Sequence, residues 1–441
     1  MARAKKETAL TPEERLQAAL VPDWEWPYKL PENWCWTYFK SISTIQTGKK
    51  DANYGSDEGK YPFFTCAAEP IRCHGYSFDC RAILLAGNGD INNISRYNGK
   101  FEAYQRTYVV KIAEPLCFDY IFYWFKYRWF DFNKGKMFGT AIPYIRLGNL
   151  QEFPTPIPPL AEQQRIVDRI ESLFAKLDEA KEKAQAVVDS FETRKAAILH
   201  KAFTGELTAK WRDEHGVGME SWEQCSISDV CTVNPKKADT KDLPDELEVS
   251  FFPMPALSEI YGEITDPQTR LLKEVRSGFT NFSEGDVVFA KITPCMENGK
   301  SAVVGKLVND IGYGTTEFFV LRCSDRLYNR FLYHLVRDKL FRDKAKAVMA
   351  GAVGQQRVPK RYLETYKLNL PKFNEQREIV RILDGSFAKE QQTKEAAEAV
   401  LDQIDLMKKS ILARAFRGEL GTNDPSEESA VEVLKRGLEK K

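Results

Sequence analysis

The sequence predicts an α+β chain in which two mixed domains of strands and helices are separated by two long helices that form a coiled coil. Three observations carry this reading. The block Glu162–Leu207 recurs without a gap as Glu375–Leu420, with roughly 21 identical positions, far above chance. Both copies carry apolar residues at heptad spacing. The segments around them are rich in Gly, Pro and aromatic residues and hold short β-branched runs, which read as strands. The matches between copies include Glu162-Gln163 with Glu375-Gln376, Phe174-Ala175-Lys176 with Phe387-Ala388-Lys389, and Gly205-Glu206-Leu207 with Gly418-Glu419-Leu420.

Taken in order, the chain divides into an N-terminal arm (1–27), a first mixed domain (28–156), a first helical spacer (157–216), a second mixed domain (217–370), a second helical spacer (371–420) and a C-terminal tail (421–441). In the first domain, Arg81–Ala86 and Thr107–Ile112 read as strands and Phe118–Phe132 as a helix. In the second, Asp286–Ile292 reads as a strand and Asn329–Val348 as helical. The first spacer places Ile166, Ile170, Leu173, Leu177, Ala180, Ala184, Val187 and Phe191 on one seam. The second gives Ile379, Leu383, Ser386, Glu390, Thr393, Ala397, Val400, Ile404, Met407 and Ile411, with a polar middle. Gly205 and Gly418 sit where helix stops belong. Each spacer is read as one helix of about 40 residues, roughly 60 Å long. Such a helix needs a partner for its stripe, and the other copy is the obvious one.

The 441 residues carry 64 Lys+Arg and 63 Asp+Glu, a net charge of +1. That balance argues against a nucleic-acid protein until the charge is mapped along the chain. Residues 28–156 have a net charge of +4, residues 217–269 of −8 and residues 270–370 of +8. Basic patches of this kind can neutralise phosphates while the total stays neutral. Residues suited to phosphate and base-edge contact fall in loops of both domains. The candidates for DNA contact are Lys49, Lys50, Asn88, Asn92, Asn93, Arg96, Tyr97 and Arg106 in the first domain. In the second they are Lys291, Thr293, Asn298, Lys300, Thr315, Thr316, Gln355, Gln356 and Arg357.

Catalytic signatures are missing. Asn234-Pro235-Lys236-Lys237 lacks the second proline and the aromatic of an amino-methyltransferase motif, and Gly87-x-Gly89 is too short for a phosphate-binding loop. No nuclease carboxylate set or Ser/His/Asp arrangement stands out. Cys66, Cys73, His74 and Cys80 lie close together, but without Cys-x-x-Cys spacing they read as packing residues and not as a metal site. Nine cysteines, an odd number, and an N-terminus (Met1–Lys6) without an apolar core behind it point to reduced thiols in a cytoplasm. No apolar run is long enough to span a membrane.

The order of parts resembles the specificity subunit of type I restriction-modification systems. The carriers are Pro156-Ile157-Pro158-Pro159-Leu160-Ala161-Glu162-Gln163-Gln164-Arg165-Ile166-Val167, its second copy from Leu370-Pro371 to Ile379-Val380, and both Ala-Phe-x-Gly-Glu-Leu helix ends. Gly285–Lys300 and Gly314–Phe318 also resemble one type of target-recognition domain. The resemblance implies two target-recognition domains joined by antiparallel helices, each domain reading one half of a split site in double-stranded DNA, with the helices fixing the gap. It implies a non-catalytic subunit with no cofactor of its own, held by two modification subunits, which carry S-adenosylmethionine and methylate adenine N6, and two restriction subunits, which use ATP and magnesium. The rival readings are a coiled-coil scaffold without DNA reading and a self-sufficient methyltransferase.

Overall fold

A computed structural model describes residues 11–259, 262–352 and 354–439. The Met1–Lys6 stretch lies outside them. The chain forms two compact units, one of residues 1–184 with 399–441, the other of residues 185–398. Each unit therefore joins one mixed domain to the start of one repeat copy and the end of the other.

The first unit is built on a six-stranded sheet in the order Ser43–Thr47, Thr107–Ile112, Phe78–Ala86, Ile94–Ala103, Tyr61–Phe64, Ile71–Cys73. All pairings are antiparallel except that of Tyr61–Phe64 with Ile94–Ala103. The central strand reads Ala82-Ile83-Leu84-Leu85-Ala86, buried on both faces, which is why its sequence is a continuous apolar run. The helix Phe118–Asn133 lays an aromatic face on the core, with Trp124, Phe125 and Trp129 fully buried beside Trp36, Phe39 and Phe153. A short antiparallel pair, Cys35–Tyr38 with Pro154–Ile157, closes the domain just before the first repeat. The end of the second repeat plugs into the same core. Phe416 lies 5.0 Å from Trp124 and 5.2 Å from Tyr120, ring to ring, and its carbonyl accepts from the Tyr28 hydroxyl at 2.9 Å. Helices Pro12–Ala19 and Ala430–Glu439 pack together, joined by an ion pair between Lys435 and Glu13 at 3.6 Å.

The second unit holds two four-stranded sheets. One has the order Cys231–Val233, Phe318–Cys323, Val287–Ala290, Ser301–Val303. The other runs Gln268–Leu271, Glu248–Phe252, Gly312–Gly314, Thr280–Phe282. An antiparallel pair, Glu223–Ser226 with Lys367–Leu370, closes it before the second repeat, as in the first unit. The stretch read as helical over 329–348 is two helices, Asn329–Arg337 and Lys339–Ala347. Asp338 separates them in an extended conformation, and its carboxylate caps the second by accepting from the Phe341 amide at 3.3 Å.

The spacers differ from the sequence reading in two ways. The second is one helix, Phe373–Ala415, but the first is interrupted: Leu160–Asp189 is followed by Phe191–Phe203. At Ser190 the hydroxyl turns back onto the Ala186 and Val187 carbonyls, at 2.5 and 3.3 Å, and competes with the helix ladder. The seam of the second copy also drifts. Val400 and Met407, placed on the seam by strict heptads, are 42% and 47% exposed, whereas Ala397, Ile404, Leu412 and Ala415 are buried. An α-helix falls behind a heptad repeat by about 20° per seven residues, so four heptads beyond Ile379 the stripe has turned by about 80°. Within the first unit the helix segments run antiparallel: Asp178 pairs with Lys408 at 2.5 Å and Lys181 with Asp405 at 3.5 Å. In the second unit Arg194 pairs with Glu390 at 2.8 Å.

Candidate nucleic-acid interface

In the first unit, backbone hydrogen bonds gather four segments at one edge of the sheet. The Gly48 amide donates to Thr107, Gln105 to Lys50, Tyr104 to Phe64 and Gly87 to Arg106. These bonds bring Lys49, Lys50, Asn88, Asn92, Asn93 and Arg106 to a common rim. Lys49, Asn92 and Arg106 are exposed there. Lys50 lies over the Tyr54 ring at 4.4 Å, and Asn88 forms a backbone bridge with Tyr144. Asn93 is committed to the fold: its amide donates to the Cys66 carbonyl at 3.1 Å and to that of Ala67.

Arg96 and Tyr97 stand apart from this rim, on the strand Ile94–Ala103. The Arg96 guanidinium bonds Asp119, reaches Glu171 of the repeat helix at 4.0 Å and stacks on Phe122. Tyr97 packs against Phe64 and Phe101. Arg96 thus ties the sheet to two helices, and Tyr97 belongs to the sheet's packing.

The second unit gathers Lys291, Thr293, Thr315, Thr316, Gln355, Gln356 and Arg357. The Lys291 amide donates to Glu317, Val358 donates back to Lys291, and Thr293 donates to the Gln356 carbonyl at 3.0 Å. Arg357 holds Glu317 through Nε and Nη2 at 3.0 and 2.8 Å, and this guanidinium keeps the Glu317 carboxyl below the usual carboxylate range. Thr316, Gln355 and the rim of Arg357 face outward, while the Thr315 hydroxyl caps the Glu317 amide. Asn298 and Lys300 are directed elsewhere, both onto Glu259, at 3.1 and 3.6 Å. Among the described residues, no group of three or more His, Cys, Asp or Glu is placed to hold a metal ion. Cys73 is buried, its thiol donating to the Gly75 carbonyl at 3.1 Å.

The residues that position both rims were not singled out as sites by the sequence reading. At the start of the first repeat, Glu162 is buried and accepts from the Trp34 indole at 2.8 Å, from Asn423 at 2.9 Å and from Thr422 at 3.2 Å. Burial raises its carboxyl, and these donors pull it back. Gln163 accepts from the Cys117 amide at 2.8 Å, at the head of helix Phe118–Asn133, and donates to Pro158. The second unit repeats the device. Glu375 accepts from the Trp222 indole at 2.9 Å, and from Arg212 and Thr208 at 2.7 Å each. Gln376 accepts from the Tyr328 amide at 2.7 Å, at the head of helix Asn329–Arg337, and donates to Pro371. The recurring Glu-Gln pair and the Trp near the start of each domain were the available signal. Each domain is thus bolted to its repeat by the same two contacts, a Trp indole on the Glu and a helix-head amide on the Gln.

Comparison with known proteins fits this arrangement. The family model described as type I restriction modification DNA specificity domain matches residues 31–188 and 219–400. The chain is 28% identical over 415 residues to the type I restriction enzyme EcoDI specificity subunit of Escherichia coli, covering 89% of this chain and 90% of that one. It is 31% identical over 259 residues to the EcoEI specificity subunit of the same species, covering 49% and 43%. Among solved structures, the HsdS subunit of Thermoanaerobacter tengcongensis superposes with a TM-score of 0.58 at 20% identity, over 89% of this chain and 99% of that one. A chain from another type I R-M structure gives a TM-score of 0.62 at 20% identity.

Proposed function

This chain belongs to the type I restriction modification DNA specificity family, and we propose that each of its two units reads one half of a bipartite site in double-stranded DNA on behalf of partner subunits. It is the specificity component of a restriction-modification system and not its catalyst. The observation that carries the reading is the duplicated bolt. Two rims of unrelated sequence, each rich in amide, hydroxyl and basic side chains, are attached through the same Glu-Gln-Trp arrangement to the same repeat. An exposed Lys49 or Arg106 supplies phosphate contact, which sets register, and neighbouring amides supply base-edge contact, which sets sequence. Two readers on one chain bind sites at a set separation, and the first contact raises the effective concentration of the second.

In this reading the long helices fix the gap between half-sites and carry the modification subunits, which transfer a methyl group from S-adenosylmethionine to adenine N6. Restriction subunits add ATP- and magnesium-dependent translocation and cleavage, and the assembly works in the cytoplasm with two copies of each partner. The exposed Val400, Leu406 and Met407 on helix Phe373–Ala415 offer an apolar face for such a partner. No helix among the described residues is long and apolar enough to cross a membrane. The test replaces residues 217–370 with another domain of this family and maps methylation across a host genome. One altered half-site and an unchanged gap are expected. Two altered half-sites, or none, would refute the assignment.

A further inference from the structure

The second unit contains a cavity of about 990 Å³ between helix Phe191–Phe203, the first half of helix Phe373–Ala415 and the helices Asn329–Arg337 and Lys339–Ala347. Neither the DNA rims nor the Glu-Gln bolts use it. The internal repeat supplies a control for what it holds. Lys195 aligns with Lys408, Lys394 with Lys181, Glu192 with Asp405, and Gln391 with Asp178. In the first unit Lys408 is neutralised by Asp178 at 2.5 Å and lies 5.1 Å from the Phe174 ring. In the second unit the lysine and its ring survive, with Lys195 5.5 Å from Phe387, but the acid has become Gln391. Among the described residues Lys195 has no carboxylate within ion-pair distance.

Besides Arg330, which holds Asp384, two guanidiniums line this cavity. Arg342 bonds the Glu297 carbonyl and, through Nε, the Arg337 carbonyl at 3.2 Å, and it has no ion-pair partner among the described residues. Arg337 bonds the Gly299 and Glu259 carbonyls at 3.0 and 2.8 Å. The acids lining the cavity are largely committed: Asp384 to Arg330 and His334, Asp343 to Lys339, Glu297 to Lys346. Glu259 is held by Asn298 and Lys300, and exposed Glu192 and Glu263 offset two charges. The cations burden one another, since burial and then the charges of Arg337 and Arg342 push the Lys195 ammonium below its usual range. A polar, open cavity of this size is filled with water and admits a solvated anion.

We propose that this cavity is a phosphate-binding site, with Lys195 and Arg342 as its principal donors and Arg337 beside them. Forked guanidiniums held in place by carbonyls, with an ammonium lining the same cavity, suit the tetrahedral oxygens of a phosphate. The phosphate is either that of a free oligophosphate or one in a DNA backbone, and the two sources separate experimentally. The intact chain is titrated with sodium pyrophosphate by calorimetry at constant ionic strength held with sodium chloride. Saturable binding is expected, weakened at least tenfold in both Lys195→Met and Gln391→Asp. The second variant restores the acid of the sister unit, so it removes the anion site while keeping the fold, which circular dichroism verifies. A flat pyrophosphate titration together with a salt slope of duplex binding that is shallower by about 0.9 in Lys195→Met assigns the phosphate to DNA. Pyrophosphate and duplex binding that are both unchanged in Gln391→Asp would overturn the proposal. So would a glutamate-rich peptide that binds where pyrophosphate and DNA do not.

Discussion

Replacing Arg212 by Met should loosen the second unit selectively. Arg212 and Glu375 are 8% and 1% exposed at their side chains and meet at 2.7 Å. Thr208 and the Trp222 indole complete the carboxylate's shell, and Arg212 also donates to the Gly205 carbonyl at 2.6 Å. A Met side chain fills much of the same space but leaves the enclosed Glu375 carboxylate without its cation. Removing one partner of a buried ion pair costs about 3–5 kcal/mol. The lower figure corresponds to about a 150-fold rise in the opening equilibrium. Hydrogen exchange with mass spectrometry on the intact chain reads that equilibrium locally. Peptides covering Glu223–Ser226 and Lys367–Leu370 should lose about 150-fold protection or more, while Cys35–Tyr38, bolted by Glu162 in the other unit, keeps its own. The double variant R212M/E375Q removes the charge together with its partner, and its glutamine still accepts from Trp222, so most of the protection should return. A loss below about fivefold, near 1 kcal/mol, or an equal loss in the double variant, would show that the pair does not hold the unit together.

Other consequences follow from the rims and helices. Alanine at both Lys49 and Arg106 should weaken duplex binding across sequences and flatten its salt slope by up to about 1.8, read by anisotropy at several salt concentrations. The Arg357–Glu317 pair contributes stability that is fully present above the ordinary glutamate range near 4.5 and is lost as pH falls through the depressed value in the folded chain. Urea unfolding at neutral and acidic pH should therefore show a steeper acid loss for the wild type than for Arg357→Met. Met407→Asp, on an exposed face, should leave the chain's own melting temperature within about 1–2 °C while weakening co-purification with a modification subunit.

Much of this architecture was legible because the physics is local. Thr107–Ile112 is a short β-branched and aromatic run whose first four residues are buried, and Phe118–Asn133 carries an aromatic run without Gly or Pro, so both read correctly from their own residues. The helix break at Ser190 was not legible, since a serine inside a heptad helix usually faces water, whereas here its hydroxyl turns onto the preceding carbonyls. The drift that exposes Val400 and Met407 accumulates over many turns and escapes a pattern matched seven residues at a time. At the rims, Lys49 and Arg106 are exposed, as the proposed DNA contact requires. Arg96 and Asn93 differ, since their side chains are taken up by Asp119 and by the Cys66 and Ala67 carbonyls. A basic or amide residue in a strand or turn looks the same in sequence whether its partner is DNA or the protein itself.

The repeat's pattern of identity follows from how the units divide it. The start of each copy, with Glu162-Gln163 or Glu375-Gln376, carries the bolt of the domain before it. The end of each copy, with Ala202-Phe203 or Ala415-Phe416, enters the core of the other unit, where Ala202 and Phe416 are fully buried. Each copy must therefore satisfy two different domains, one at each end, and the domains differ. The only surfaces that can be shared are ones that every domain presents alike: a tryptophan indole, a helix head and a short closing strand pair. That requirement explains why both copies keep Glu-Gln at the start and Ala-Phe-x-Gly-Glu-Leu at the end, while Asp178 and Gln391, between them, were free to diverge. The rims lie outside this shared surface, so they can change without disturbing the attachment. A chain built this way alters what it reads by exchanging a domain and leaves the bolts untouched.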